Sequence, residues 1–165
     1  MKKLFIIRHA KANLGEANQK DFDRTLSERG KNDAAEMGRR LKKNGIKPEL
    51  IISSPAARAH KTAKIVAKEI GYSEKDILLN KEIYEADISD VIKVIRNLDD
   101  SSNKVMLFGH NPTFTGLIGY LSNQFIDNIP TAGVVQINFD LPTWKQVTQQ
   151  SGKFISFDFP KNQTS

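Results

Sequence analysis

A chain of 165 residues, 39% hydrophobic and 27% charged, has the composition of a globular protein large enough to bury a core without disulfide or metal staples. The lack of cysteine excludes a thiol nucleophile, a disulfide framework and a thiolate zinc site. No apolar run reaches the roughly 20 residues that span a bilayer, so no membrane partner is expected, and the net charge of +6 favours anionic partners.

The opening run, Met-Lys-Lys-Leu-Phe-Ile-Ile, is cut short by Arg8, His9 and Lys11 and reads as a first strand over residues 4–7 rather than a leader peptide. Thr25 with Glu28 fits a capping box, and Ala34, Met37 and Leu41 then recur on one face until Gly45, which predicts a helix over 26–44. Residues 50–53 form a second short apolar strand. Ser54-Pro55 then resembles a cap with proline at the first helical position, and Ala59, Ala63, Val66, Ala67 and Ile70 repeat with helical spacing up to Gly71. Ile88, Val91, Ile92, Ile95 and Leu98 form a third helical stripe. Residues 105–108 read as another buried strand, and Asn111-Pro112 opens a fourth helix carrying Phe114, Leu117, Ile118 and Leu121. The tail differs, because 134–139 and 154–159 alternate apolar and polar positions as a pair of antiparallel strands would, with Pro142 and Thr143 in the turn. The order predicts an α/β protein, a three-layer α/β/α sandwich with a mainly parallel central sheet and an antiparallel C-terminal edge. No linker divides it, so residues 1–165 are expected to form a single domain.

Two of the three histidines, His9 and His110, directly follow apolar strand runs. In open α/β sheets ligands bind beyond the carboxyl ends of the strands, so both imidazoles are expected at one rim. Ser54 reaches the same rim, and Arg58 lies about one turn into the helix that follows. His60, two residues beyond Arg58, points elsewhere and is read as a surface histidine. Arg8, His9, Arg58 and His110 together make a cationic cluster near helix N-termini, suited to a phosphoryl group. Guanidinium forks bind phosphate oxygens in pairs and stay charged, whereas a neutral imidazole can attack phosphorus if its other nitrogen is held by a backbone carbonyl. Water would then cleave the phosphohistidine.

At these residues the chain resembles the histidine phosphatase superfamily. Arg8-His9-Ala10 matches the triplet after its first strand, Ser53-Ser54-Pro55-Ala56-Ala57-Arg58-Ala59 with Thr62-Ala63 its second-arginine motif, and Gly109-His110-Asn111-Pro112 its second-histidine motif. Within it the chain is most similar to the short SixA-type phosphohistidine phosphatases, sharing Asp23-Arg24-Thr25-Leu26-Ser27 with Gly30 and a late Pro130-Thr131-Ala132-Gly133 element. The resemblance implies a phosphoglycerate mutase-like fold, His9 as nucleophile, Arg8 and Arg58 as phosphoryl ligands, and His110 as a hydrogen-bond donor. Arg24 is a further substrate contact or a structural salt-bridge partner.

Members acting on phosphate esters carry an acid for the leaving alkoxide, and Glu85, after Ile83-Tyr84, is the candidate here. The fuller acid motif is absent, which favours an N–P substrate with its better leaving group. The short interval between Arg58 and His110 leaves little chain for a cap. The expected substrate is thus phosphohistidine on a protein. The alternative is a phosphomonoesterase or mutase for small sugar or nucleotide phosphates using Glu85. A non-catalytic anion-binding module ranks third, and nucleic acid is not expected as a partner because no stacking motif accompanies the basic residues. Neither metal nor cofactor is called for, since the arginines supply the positive charge. Location in a reducing cytoplasm is compatible with the cysteine-free composition.

Overall fold

The computed structural model describes residues 1–162. In chain order the elements are β1 (Lys2–Arg8), α1 (Glu28–Lys43), β2 (Leu50–Ser53), α2 (Ala57–Ile70), β3 (Leu78–Leu79), α3 (Ile88–Arg96), β4 (Lys104–Gly109), α4 (Thr113–Leu121), β5 (Val134–Phe139) and β6 (Lys153–Asp158). They build one six-stranded sheet in the order β3-β2-β4-β1-β5-β6. The pairs β2–β3, β2–β4 and β1–β4 are parallel, whereas β1–β5 and β5–β6 are antiparallel. The expected mixed sheet with its antiparallel edge is thus present.

Side chains on the central strands alternate between two cores, as the pleat requires. Phe5 and Ile7 of β1 with Met106 and Phe108 of β4 pack against Met37 and Leu41 of α1 and Val66 of α2. Leu4 and Ile6 with Val105 and Leu107 face the opposite layer, against Val91 and Ile95 of α3 and Phe114 and Leu117 of α4. Continuous apolar runs in β1 and β4 are therefore the consequence of burial on both faces.

The helix starts differ from the sequence expectation, and each difference has a local cause. Helix α1 is capped by Ser27, whose Oγ accepts from Gly30 N at 3.0 Å, rather than by Thr25. The Thr25 carbonyl instead accepts from Asn13 N at 2.8 Å, and Ala12 bridges Leu26, so the chain stays extended until Ser27. Gly30 allows this contact, since a Cβ there would lie 2.0 Å from the Lys11 carbonyl oxygen. Helix α2 begins at Ala57, because Ser54 N donates to Phe108 O at 2.9 Å and holds residue 54 in an extended step beside β4. Asp87 and Asp90 form the capping box of α3, where the sequence had shown only an apolar stripe.

Candidate active site

Register delivers the two histidines to one place. Arg8 pairs with Gly109 in the parallel β1–β4 ladder, and His9 N donates to Gly109 O at 3.0 Å, so His9 and His110 leave adjacent strand ends together. Their ring centroids lie 5.2 Å apart. The segment 129–133 braces the end of β1: Gly133 O accepts from Arg8 N at 3.1 Å, His9 O accepts from Ala132 N at 3.1 Å, and Ile129 O accepts from Arg8 Nη1 at 2.8 Å. Arg58, in the first turn of α2, is only 6% exposed. Arg8, His9, Arg58 and His110 line a cleft of about 340 Å³ with Lys11, Ala12, Arg24, Asn111 and Thr131.

The protonation of both rings follows from their partners. Nδ1 of His9 lies 2.7 Å from the Ala10 carbonyl, which only accepts, so Nδ1 carries the proton and Nε2 keeps the lone pair. Nε2 of His110 lies 2.8 Å from Ser54 Oγ. Ser54 Oγ also accepts from Ala56 N at 3.2 Å, and His110 Nε2 is the one acceptor within reach of the hydroxyl proton; donating there pairs that proton and leaves Nδ1–H as a donor. Nδ1 of His110, Nε of Arg8 and Nε of Arg58 are buried without a hydrogen-bond partner. Three unpaired buried donors on cleft-lining residues are the signature of a site built for an anion, because each would otherwise cost free energy.

Burial, the neighbouring histidine and the two arginines push His9 down to about 3, against the opposing effect of its bond to Ala10. Burial first, and then Arg58, push His110 down to about 4. Burial lowers Arg8 as well. In the absence of a bound anion both rings are neutral through the physiological range, the form needed for attack. Between about pH 6.5 and 4 the unfolded chain binds protons that the native chain refuses, so native stability should fall as pH falls through that window. Urea unfolding at pH 7, 6 and 5 should show this slope, and His9→Gln should reduce it. A stability independent of pH across that range would contradict the neutral assignment.

Arg24 lines the cleft, and its Nε and Nη2 reach Asp21 Oδ1 at 3.0 and 2.9 Å, the salt bridge expected of it. Glu85 is exposed, lies outside the cleft lining and takes a left-handed φ of 53°. His60 is likewise outside the lining. Asp21 and Tyr84 stand behind the lining and touch Arg24, Arg58 and His110, contacts that the sequence reading missed. The Tyr84 hydroxyl donates to Asp21 Oδ2 at 2.8 Å, and its ring lies edge-on to His110 with centroids 5.7 Å apart. That bond and the adjoining Arg58 guanidinium hold Asp21 at about 2, while burial and Asp21 push Tyr84 up to about 12. Among the described residues no cluster of three His, Asp or Glu side chains is placed to hold a metal, and no helix is long and apolar enough to cross a membrane.

An uncharacterized protein of Mycobacterium leprae is 26% identical over 94% of this chain and the whole of its own length. A 2,3-bisphosphoglycerate-dependent phosphoglycerate mutase of Parvibaculum lavamentivorans is 30% identical over 61% of the chain, which spans about half of that enzyme (48%). Among solved structures, the Agrobacterium tumefaciens protein assigned as phosphohistidine phosphatase SixA superposes with a TM-score of 0.79 at 26% identity, covering 94% of this chain and 96% of its own. The protein histidine phosphatase SixA complexed with tungstate superposes with a TM-score of 0.84 at 22% identity, covering 97% and 98%, a likeness of fold. Residues 4–93 match the model of the histidine phosphatase superfamily, branch 1, and the chain belongs to that superfamily as an enzyme of the phosphatase class.

Proposed function

We propose that the chain dephosphorylates phosphohistidine carried on a protein, through a phosphohistidine formed on His9. The observation that carries this reading is the pairing of an unprotonated His9 Nε2 with unpartnered donors from Arg8, Arg58 and His110 in one cleft. The His9 Nε2 lone pair forms a bond to phosphorus as the bond from phosphorus to the substrate imidazole breaks, and the substrate ring, already carrying a proton from solvent on its other nitrogen, leaves as neutral imidazole. The arginine forks and His110 Nδ1–H hold the three equatorial oxygens as charge redistributes. A water oxygen then attacks the phosphorus on His9, its proton passing to solvent, and the P–N bond breaks to release inorganic phosphate and neutral His9.

The cleft chemistry also favours an N–P substrate. Among the described residues no carboxyl group lines the cleft, so an alkoxide would leave without a positioned proton donor. An imidazole leaving group needs none in the cleft, because a ring protonated by solvent on its far nitrogen departs as neutral imidazole. Hydrolysis of a phosphohistidine-bearing protein should be compared with that of para-nitrophenyl phosphate, both in EDTA and both with Glu85→Gln. The expected result is strong preference for the phosphoprotein, undiminished by EDTA and by the Glu85 substitution. Preference for the ester with a sharp loss in Glu85→Gln would replace this reading with an esterase that uses Glu85 as acid.

A further inference from the structure

The chemistry above leaves a carboxylate beside the cleft unused. Asp21 lies in the short turn Asp21–Asp23, and every hydrogen-bond partner of Arg58's guanidinium belongs to it. Arg58 Nη1 donates to the Asp21 main-chain oxygen at 2.8 Å, and Nη2 donates to Oδ2 at 3.0 Å. The planar group is thereby fixed along its Nη1/Nη2 edge. Five N–H bonds radiate from a guanidinium and this grip uses two of them; of the three left, Nε–H and the second Nη2–H share one side, a two-pronged edge matched to two phosphoryl oxygens. Nε is the Arg58 atom that is buried with no partner. The same carboxylate reaches two further parts of the site. Oδ1 accepts from Arg24 Nε at 3.0 Å, and Oδ2 accepts from the Tyr84 hydroxyl, whose ring stands against His110 on one side and Phe22 on the other.

We propose that Asp21 is a positioning residue of the phosphoryl site, clamping Arg58 by its outer edge and, through Tyr84, fixing the wall behind His110. This rests on the reading of the cleft as a phosphoryl-transfer site, but not on which phosphorylated substrate enters it. Two other roles fit the geometry less well. A proton donor would have to reach the leaving group, yet both carboxylate oxygens are taken up by Arg24, Arg58 and Tyr84. A competitor occupying the arginine in place of phosphate would need to pair with Nε, which Asp21 leaves without a partner.

A double-mutant cycle on a small substrate, such as para-nitrophenyl phosphate or phosphoramidate, separates these roles. Asp21→Ala should lower kcat/KM by about ten- to a hundredfold, the scale of a misplaced binding group. In an Arg58→Ala background the same change should cost several-fold less, because the guanidinium that Asp21 clamps is gone and only the wall held through Tyr84 remains. Equal losses in the two backgrounds would overturn the clamp and leave a general structural role. Orthovanadate affinity by calorimetry gives the second readout and needs no turnover. Asp21→Ala should bind it about tenfold or more weakly, and unchanged or tighter binding would overturn the proposal. Asp21→Asn, which keeps the main-chain acceptor and the side-chain volume, serves where the alanine variant fails to fold and should show the same coupling to Arg58. Wild-type protein inactive on every phosphorylated substrate would defeat the functional reading alone, since the vanadate comparison still decides the role of Asp21.

Discussion

Replacing His9 by alanine should lower turnover of every phosphorylated substrate by on the order of 10⁴-fold or more, the usual consequence of removing the nucleophile from a covalent mechanism. The imidazole has no substitute in the cleft. His110 is the only other imidazole lining it, and its Nε2 is committed to Ser54 while Nδ1 carries a proton, so it presents no lone pair. Residual rate would come from Arg8 and Arg58 still holding the phosphoryl group toward water. The expected signature is chemical as well as kinetic. Wild-type enzyme quenched during turnover with ³²P-labelled substrate should carry acid-labile, base-stable label on His9, and the alanine variant should carry none. Because His9 is bonded only to the neighbouring Ala10 carbonyl through its side chain, the variant should remain folded. Undiminished labelling of His9→Ala would place the covalent step on another residue.

How much of this was legible in the sequence depended on whether a residue's role was set by neighbours along the chain or across it. Arg8, His9 and His110 were visible because two strongly apolar runs, buried on both faces, end where these residues begin. The β1–β4 pairing then does no more than put the two ends side by side. Helix α2 and Arg58 were visible through helical spacing. The start of α1 was not, because Thr25 is drawn into contacts with Asn13 that a local capping pattern takes no account of. Asp21 was hidden more deeply. It lies in a polar turn without periodicity, and its partners Arg58 and Tyr84 stand far along the chain on α2 and beside α3. Ser54 was read as a helix cap, and its bond to His110 required the β2–β4 register to be known. Glu85 illustrates the opposite case, since position in the chain marked it and only the fold shows that it stands outside the cleft lining.

Arg58→Ala should lower kcat/KM by about 10³-fold, a loss comparable to removing a preorganised donor or an arginine finger from other transferring sites. The size of the effect follows from the surroundings rather than from charge alone. A guanidinium that is 6% exposed, held along one edge by Asp21 and unpaired at Nε, is already oriented before substrate arrives, so no reorganisation accompanies the transition state. Arg58→Lys should recover little of the loss, less than about tenfold, because an ammonium is a single point of charge and cannot replace a planar fork that is gripped on one edge and unpaired on the other. Anion binding tests the same idea at equilibrium. Orthovanadate at a hundred times its Kd should stabilise the wild type by about 2.7 kcal/mol, read as a rise in Tm, and at that same concentration the Arg58→Ala protein should gain almost nothing. Should Arg58→Lys instead match the wild type in both rate and vanadate-induced stabilisation, net positive charge in the cleft would be sufficient, and the oriented edge presented by Arg58 would have no special part in the transfer.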